Sequence, residues 1–254
     1  MQTNKITMYD AHLHMGHIFD NTLVQPNEIK KFITRHGVYG GAIMPTARIN
    51  GNDDFKMHLC LYIYALREGL SPILYVTPQI ITHSIELLTE KLNIKEFFGI
   101  KIHPDAVKFS QRELESITEF TLRCKQPLFI HTGSKTSCEA GRFEALIKRY
   151  PMQIFVLCHA RPAKQAFYLL DKYSNVWIDT SFLSIEDLQE NVNLENGKRI
   201  LFGSDYPVNQ WYPDLPEDDF WYEKQITDIL SHLTFEISSD ILSANYKRFK
   251  LRQF

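Results

Sequence analysis

Eight times along the chain a short apolar run is followed by a polar loop and then a longer amphipathic stretch. The runs are ITMYDA, GGAIMP, PILYVT, FFGIKI, PLFIHT, QIFVLCH, NVWIDT and RILFGSD, rich in Ile, Val, Phe and Leu. Such runs suit strands buried on both faces. Between them lie helix-length segments such as Pro26–His36, Asp53–Glu68, Ser110–Arg123, Ala140–Tyr150, Pro162–Tyr173 and Ser184–Val192, several of which open on a residue that favours a helix N-terminus. Strands that alternate with helices pair in parallel, because each crossover returns the chain to the same end of the sheet. Eight such units in 254 residues predict an α/β chain folded as one (β/α)8 TIM barrel, a single domain over 1–254, with DDFWYEKQITDILSHL and SDILSANYKRFK as closing helices. An open doubly wound sheet fits less well. HLHMGHIFDN after the first run lacks the G-x-G-x-x-G of dinucleotide sites, and no nucleotide cofactor is expected.

Composition narrows the partners. The chain is 44% apolar, enough for one large core. Its formal charge is −2 and it has no basic block, so nucleic acid is not an expected partner. No apolar run approaches the roughly 18 residues of a membrane span. Cys60, Cys124, Cys138 and Cys158 are scattered without C-x-x-C spacing, and the N-terminal MQTNKITMYD lacks a signal-peptide apolar region. These features predict a cytoplasmic protein with reduced thiols that acts on a small molecule; a homodimer is left open.

Barrel enzymes keep their sites at the C-terminal ends of the strands, so reactive groups ending an apolar run carry the most weight. The first run ends in Asp10-Ala11-His12-Leu13-His14, where period-two alternation predicts positions 10, 12 and 14 on one face. The fourth ends in Lys101 and His103, the fifth in His131, the sixth in His159 and the eighth in Asp205. A single histidine at a buried strand end is more often a satisfied core residue than a ligand. Five coincident strand ends are different: several unpaired imidazoles and a carboxylate buried together are costly without a cation to compensate them. Three or four His with one Asp and no thiolate suit Zn(II), with Mn, Fe, Co or Ni compatible. Such an ion lowers the pKa of a bound water to around 7 and polarises a carbonyl, which brings hydrolysis within reach at neutral pH.

The D-x-H-x-H of the first run, the single histidines ending the fifth and sixth, and LFGSDYP ending the eighth together resemble the amidohydrolase superfamily. The closest likeness is to the amidohydrolase-2 branch, which holds aminocarboxymuconate-semialdehyde decarboxylase-like enzymes, aromatic acid decarboxylases and lactone hydrolases. GGAIMPTA, GIKIHP, NVWIDTSF and ILSANYKRF follow as landmarks in the same order. The resemblance implies one metal held by His12, His14, His131 and Asp205, with Asp205 also taking a proton from the activated water. It implies His159 as general acid/base or as ligand of a second metal, and Asp10 as a group orienting one imidazole from behind. Some superfamily members carry a carboxylated lysine between two metals at the end of the fourth strand. Lys101 stands near that position, and a lysine pairing with a carboxylate or with substrate is the preferred reading.

His103, Lys101, Arg161 and Arg48 are candidate substrate contacts, the arginines because a guanidinium grips a carboxylate with two hydrogen bonds. His17, Tyr206 and Trp211 are placed in loops at the mouth, lining a pocket or covering the core. Cys158 is expected to face away from His159 as a small buried residue. Three functions follow. The first is metal-dependent hydrolysis of a small ester, lactone or amide. The second is non-oxidative decarboxylation of a small aromatic or unsaturated acid at the same metal. The third is a metal-free barrel isomerase or binding protein, weakened because DTSFLS and GSDYPV replace the glycine-rich phosphate loops of such barrels.

Overall fold

Among the described residues nine strands form: β1 (Met8–His17), β2 (Leu23–Val24), β3 (Val38–Pro45), β4 (Ser71–Tyr75), β5 (Gly99–Ile102), β6 (Leu128–His131), β7 (Phe155–Cys158), β8 (Val176–Asp179) and β9 (Ile200–Leu201). The computed structural model describes residues 6–17, 23–46, 54–83, 92–208 and 220–251. Each predicted run yields a strand, and β2 is an addition that lies antiparallel against the end of β1. All other neighbours are parallel, in the sheet order β2-β1-β3-β4-β5-β6-β7-β8-β9. Beyond β9 the chain closes back on β1. Ala11 N–H donates to Phe202 O at 2.8 Å, Asp205 N–H to His12 O at 2.8 Å and His14 N–H to Tyr206 O at 2.7 Å. Eight parallel strands therefore make a closed barrel, as expected of a TIM barrel.

The uninterrupted apolar runs have a direct cause in this closure, because both strand faces are covered. Outward residues such as Ile100, Ile130, Leu157 and Ile178 pack under the helices. Inward ones such as Phe129, Val156, Trp177 and Leu201 fill the barrel. The helix Asn245–Leu251 plugs the N-terminal end: Tyr246 stacks on Tyr9 and on Phe98 with ring centroids 4.8 Å apart, and Phe249 lies 5.0 Å from Phe98 and 4.9 Å from Trp177. With one end filled by aromatic rings, the opposite rim is left for polar groups.

The helical layer follows the expected segments. Ser110 accepts from Glu113 N–H while the Glu113 carboxylate accepts from Ser110 N–H, a reciprocal cap that sets the start of helix Gln111–Arg123. Short helical turns at Pro78–His83 and Ile94–Glu96 add to the reading from sequence. The final closing helix is broken by a π turn at Asp240–Ala244, where the Ile241 carbonyl leaves the helical pattern to accept from Phe202 N–H at 3.2 Å. No helix among the described residues is long and apolar enough to cross a membrane.

Candidate metal centre

The strand ends bring His12, His14, His131, His159, Asp179 and Asp205 to one rim. The first departure from simple alternation is in β1. Tyr9 and Ala11 pack with the barrel interior, whereas Leu13 and Met15 belong to the outer layer. The pairing with β3 slips between Asp10 and Leu13, so His12 and His14 face inward while Asp10 does not share their face. Asp10 Oδ1 instead accepts from the backbone N–H of His12 at 2.9 Å and of Ser204 at 3.1 Å. It stitches the slipped strand to the last one; the expected role of holding an imidazole passes to another residue.

That residue is Asp179, at the end of β8. Its Oδ2 accepts from His12 Nδ1 at 2.9 Å. Its Oδ1 accepts from His159 N–H at 2.9 Å and from the Ser181 hydroxyl. Because Ser181 spends its proton on Asp179, its oxygen accepts from His159 Nδ1 at 2.8 Å. Both imidazoles are thus fixed in the tautomer that leaves Nε2 bare and aimed into the site. The sequence offered a signal for Asp179: NVWIDT ends in a carboxylate at a predicted strand end, and the strand-end rule, applied to the seventh run, includes it. Gly203 makes the crowding feasible, since a Cβ there would stand 2.9 Å from His12 Cβ and 3.4 Å from Asp179 Cβ.

On the site's other side, Asp205 Oδ1 lies 3.0 Å from His12 Nε2 and 2.9 Å from His14 Nε2. His14 Nδ1 is tied to the Pro45 carbonyl at 3.2 Å. His131 Nδ1 faces His159 Nε2 at 3.0 Å, and His103 stacks on His131 with centroids 3.6 Å apart. Cys158 faces inward with Val156. His159 follows it with φ of 68° and Ala160 with φ of 47°, and this left-handed turn brings the imidazole inside as well. The expectation that Cys158 and His159 face opposite sides is therefore corrected: alternation ends where the backbone leaves the β region. Asp205 is also left-handed, at φ of 61°.

Charge and burial sort the groups. Burial would raise Asp205, but His12 and His14 more than offset this and hold its carboxyl well below the usual range. Asp179 is lowered in the same way, with His12 its main counterweight to burial. Burial and Lys101 pull His12 down, yet the two carboxylates raise it on balance. Burial keeps His131 and His159 neutral, both well below the ordinary imidazole value, and pushes His103 down to about 3. Lys101 is buried inside the barrel, its Nζ without a hydrogen-bond partner among the described residues. Arg161 Nε is likewise buried and unpartnered, with the guanidinium 5.2 Å above the Phe182 ring.

A divalent ion fits these residues on three counts. His12 Nε2 is buried and, although 3.0 Å from Asp205 Oδ1, meets no partner in hydrogen-bond geometry among the described residues. Two ionised carboxylates there call for positive charge. Donors bound side by side to one ion through bonds of about 2.0–2.2 Å stand roughly 3 Å apart, which matches the 2.9 and 3.0 Å separations around Asp205 Oδ1. His12, His159 and Asp205 have ligand atoms all within 4.8 Å of one another; His14 lies beside them through Asp205 and His131 through His159. Tyr206 stacks on Phe32 at 3.6 Å and so covers the core. His17 ends β1. Arg48 and Trp211 lie outside the described residues.

Comparison with known proteins bears on this rim directly. No curated protein matches the chain by sequence. Among solved structures, the Metarhizium anisopliae IDCase in apo form superposes with a TM-score of 0.69 at 12% identity, covering 100% of this chain and 99% of that one. The 4-oxalomesaconate hydratase of Rhodopseudomonas palustris gives 0.68 at 18% identity, covering 97% and 96%. A probable 2-pyrone-4,6-dicarboxylic acid hydrolase of Acinetobacter baumannii, with citric acid bound, gives 0.66 at 14%, covering 96% and 99%. At these identities the likeness is one of fold. The amidohydrolase family model, by contrast, matches the sequence itself over residues 74–244, from β4 through the π turn, a stretch that holds His131, His159, Asp179 and Asp205. By that match, over more than half its length, the chain belongs to the amidohydrolase family, in its amidohydrolase-2 branch.

Proposed function

We propose that the protein is a metal-dependent hydrolase that opens a small ester, lactone or amide bearing a carboxylate. His12, His14, His131 and Asp205 would hold one ion, zinc first among zinc, manganese, iron, cobalt and nickel. Bound there, the ion supplies Lewis acidity, acidifying a water and polarising a carbonyl oxygen. The chain's own groups do the rest. Asp205, kept ionised by two imidazoles, accepts the water's proton. His159, neutral and tied at Nδ1 to Ser181, takes and returns a proton at Nε2 on the side of the leaving group. Lys101 and Arg161, each with an unpartnered buried nitrogen, answer a substrate carboxylate, and His103 borders the same space beside His131.

The observation that carries this reading is Asp205: one ionised carboxylate oxygen flanked by two imidazole nitrogens at 2.9 and 3.0 Å, where a proton acceptor for an activated water belongs. The similar structures named for 2-pyrone-4,6-dicarboxylic acid and 4-oxalomesaconate support an acidic substrate. The test is to incubate zinc-loaded protein with carboxylated lactones, esters and amides while following acid release and carbon dioxide separately. Acyl cleavage is expected, falling at least about 100-fold in Asp205→Asn. Carbon dioxide without acyl cleavage would replace hydrolysis by decarboxylation. Failure of the purified protein to carry or take up a transition metal would overturn both in favour of a metal-free barrel.

A further inference from the structure

The loop after β6 folds back over its own strand end. Gly133 N–H donates to Cys138 O at 3.0 Å, and Cys138 N–H to Lys135 O at 2.8 Å. This places the buried Cys138 thiol beside His131 and beside Asp105 from the loop after β5, with one ligand atom from each residue within 4.8 Å of the others. His131 Nδ1 is turned towards His159, so the ring's outer edge is Nε2. A Cβ on Gly133 would stand 2.9 Å from Cys138 Sγ and 3.6 Å from His131 Nε2. The space between those two donors is therefore open only because residue 133 is a glycine.

We propose that Cys138, His131 Nε2 and Asp105 form a second metal site at the mouth of the barrel, adjoining the central one through His131, for a thiophilic divalent ion such as zinc. Thiolate, imidazole and carboxylate are the three donor types that zinc takes, and three protein ligands leave a fourth position open. Asp105 is held by Lys135 Nζ at 3.0 Å, but Lys135 is 72% exposed and is free to swing into solvent. Filling the site costs the Cys138 thiol its proton and, once Nδ1 serves the central ion, the Nε2 proton of His131 as well, both lost to solvent, so uptake weakens as pH falls. Occupancy would pin the outer edge of His131, whose inner edge faces the central site, so an excess of zinc would restrain a ring that the central ion needs.

Cobalt titration of the metal-free protein, followed in the visible and near-ultraviolet, tests the site without relying on turnover. The first equivalent should bind without a thiolate-to-cobalt charge-transfer band, and a weaker second equivalent should bring that band in. Cys138→Ser should lose the band and keep the first equivalent, while Cys158→Ala should keep both. Asp105→Asn, which leaves the buried loop intact, should weaken the second equivalent at least about tenfold. A band absent at every cobalt ratio, surviving in Cys138→Ser or lost in Cys158→Ala would overturn the proposal. Failure of the central assignment would be seen separately, as an unchanged first equivalent in His12→Ala.

Discussion

The aspartate that orients an imidazole at the rim is not the one next to the histidine pair in sequence. Asp10 is adjacent to the histidine pair but holds backbone amides, whereas Asp179, 167 residues from His12, orients its imidazole. Asp10 is fully buried, and burial pushes its carboxyl up to about 7 despite the amides it accepts from. Its folded-state pKa therefore exceeds the unfolded value of about 3.9, the folded protein binds the extra proton, and stability falls as pH rises between those two values. Asp10→Asn keeps the acceptor oxygen and removes the charge. Relative to wild type, it should gain stability between about pH 5 and about pH 8, by an amount on the order of a few kcal/mol, read from urea midpoints at both pH values. Equal midpoint shifts at the two pH values would mean that Asp10 does not carry this titration. Asp10→Ala, which strands two buried amides, should cost roughly 1–3 kcal/mol at either pH.

At the level of elements, strand alternation explains where the barrel is apolar but not where its rim becomes polar. β6 obeys alternation into His131, and β5 obeys it into Lys101 and His103. β1 reaches its histidines through a register slip, and β7 reaches His159 through a left-handed turn. Backbone choices of this kind are set by tertiary contacts, here Asp10 on the His12 amide and Asp179 on the His159 amide. The opposite end of the barrel depends on the C-terminal helix. Phe249 is 1% exposed and touches Phe98, Phe129 and Trp177, rings brought in by three different strands or their flanks. Phe249→Ala should cost about 3–5 kcal/mol, measured by chemical denaturation, because the barrel floor cannot collapse to fill the gap. A loss below about 1 kcal/mol would show that the helix only covers the floor without filling it.

For the whole molecule, the barrel gathers ionised carboxylates and neutral imidazoles at one end of a well-packed core, which is an arrangement that binding a cation should stabilise. At 100 times the dissociation constant, zinc should add about 2.7 kcal/mol, on the order of 5–10 °C in Tm for a domain of this size. Thermal melts with zinc and with a chelator measure it, and His12→Ala should abolish the difference. Identical melts for wild-type protein in the two conditions would argue against a metal held by this rim.

The barrel is legible from the residues alone, because eight doubly buried strands leave an apolar signal that needs no knowledge of contacts: both faces are covered whatever the partners are. Which strands end in reactive groups is legible too, since strand ends are read from where apolar runs stop. Which side of its strand each group takes, and which group orients which, follows from the packed fold. A one-residue slip or a single left-handed residue reverses a side chain's direction, and neither changes the composition of the run that carries it. His12 and His14 are legible in this way as a pair; that Asp179 fixes the tautomer of His12 directly and that of His159 through Ser181 depends on bringing β1, β7 and β8 to one rim.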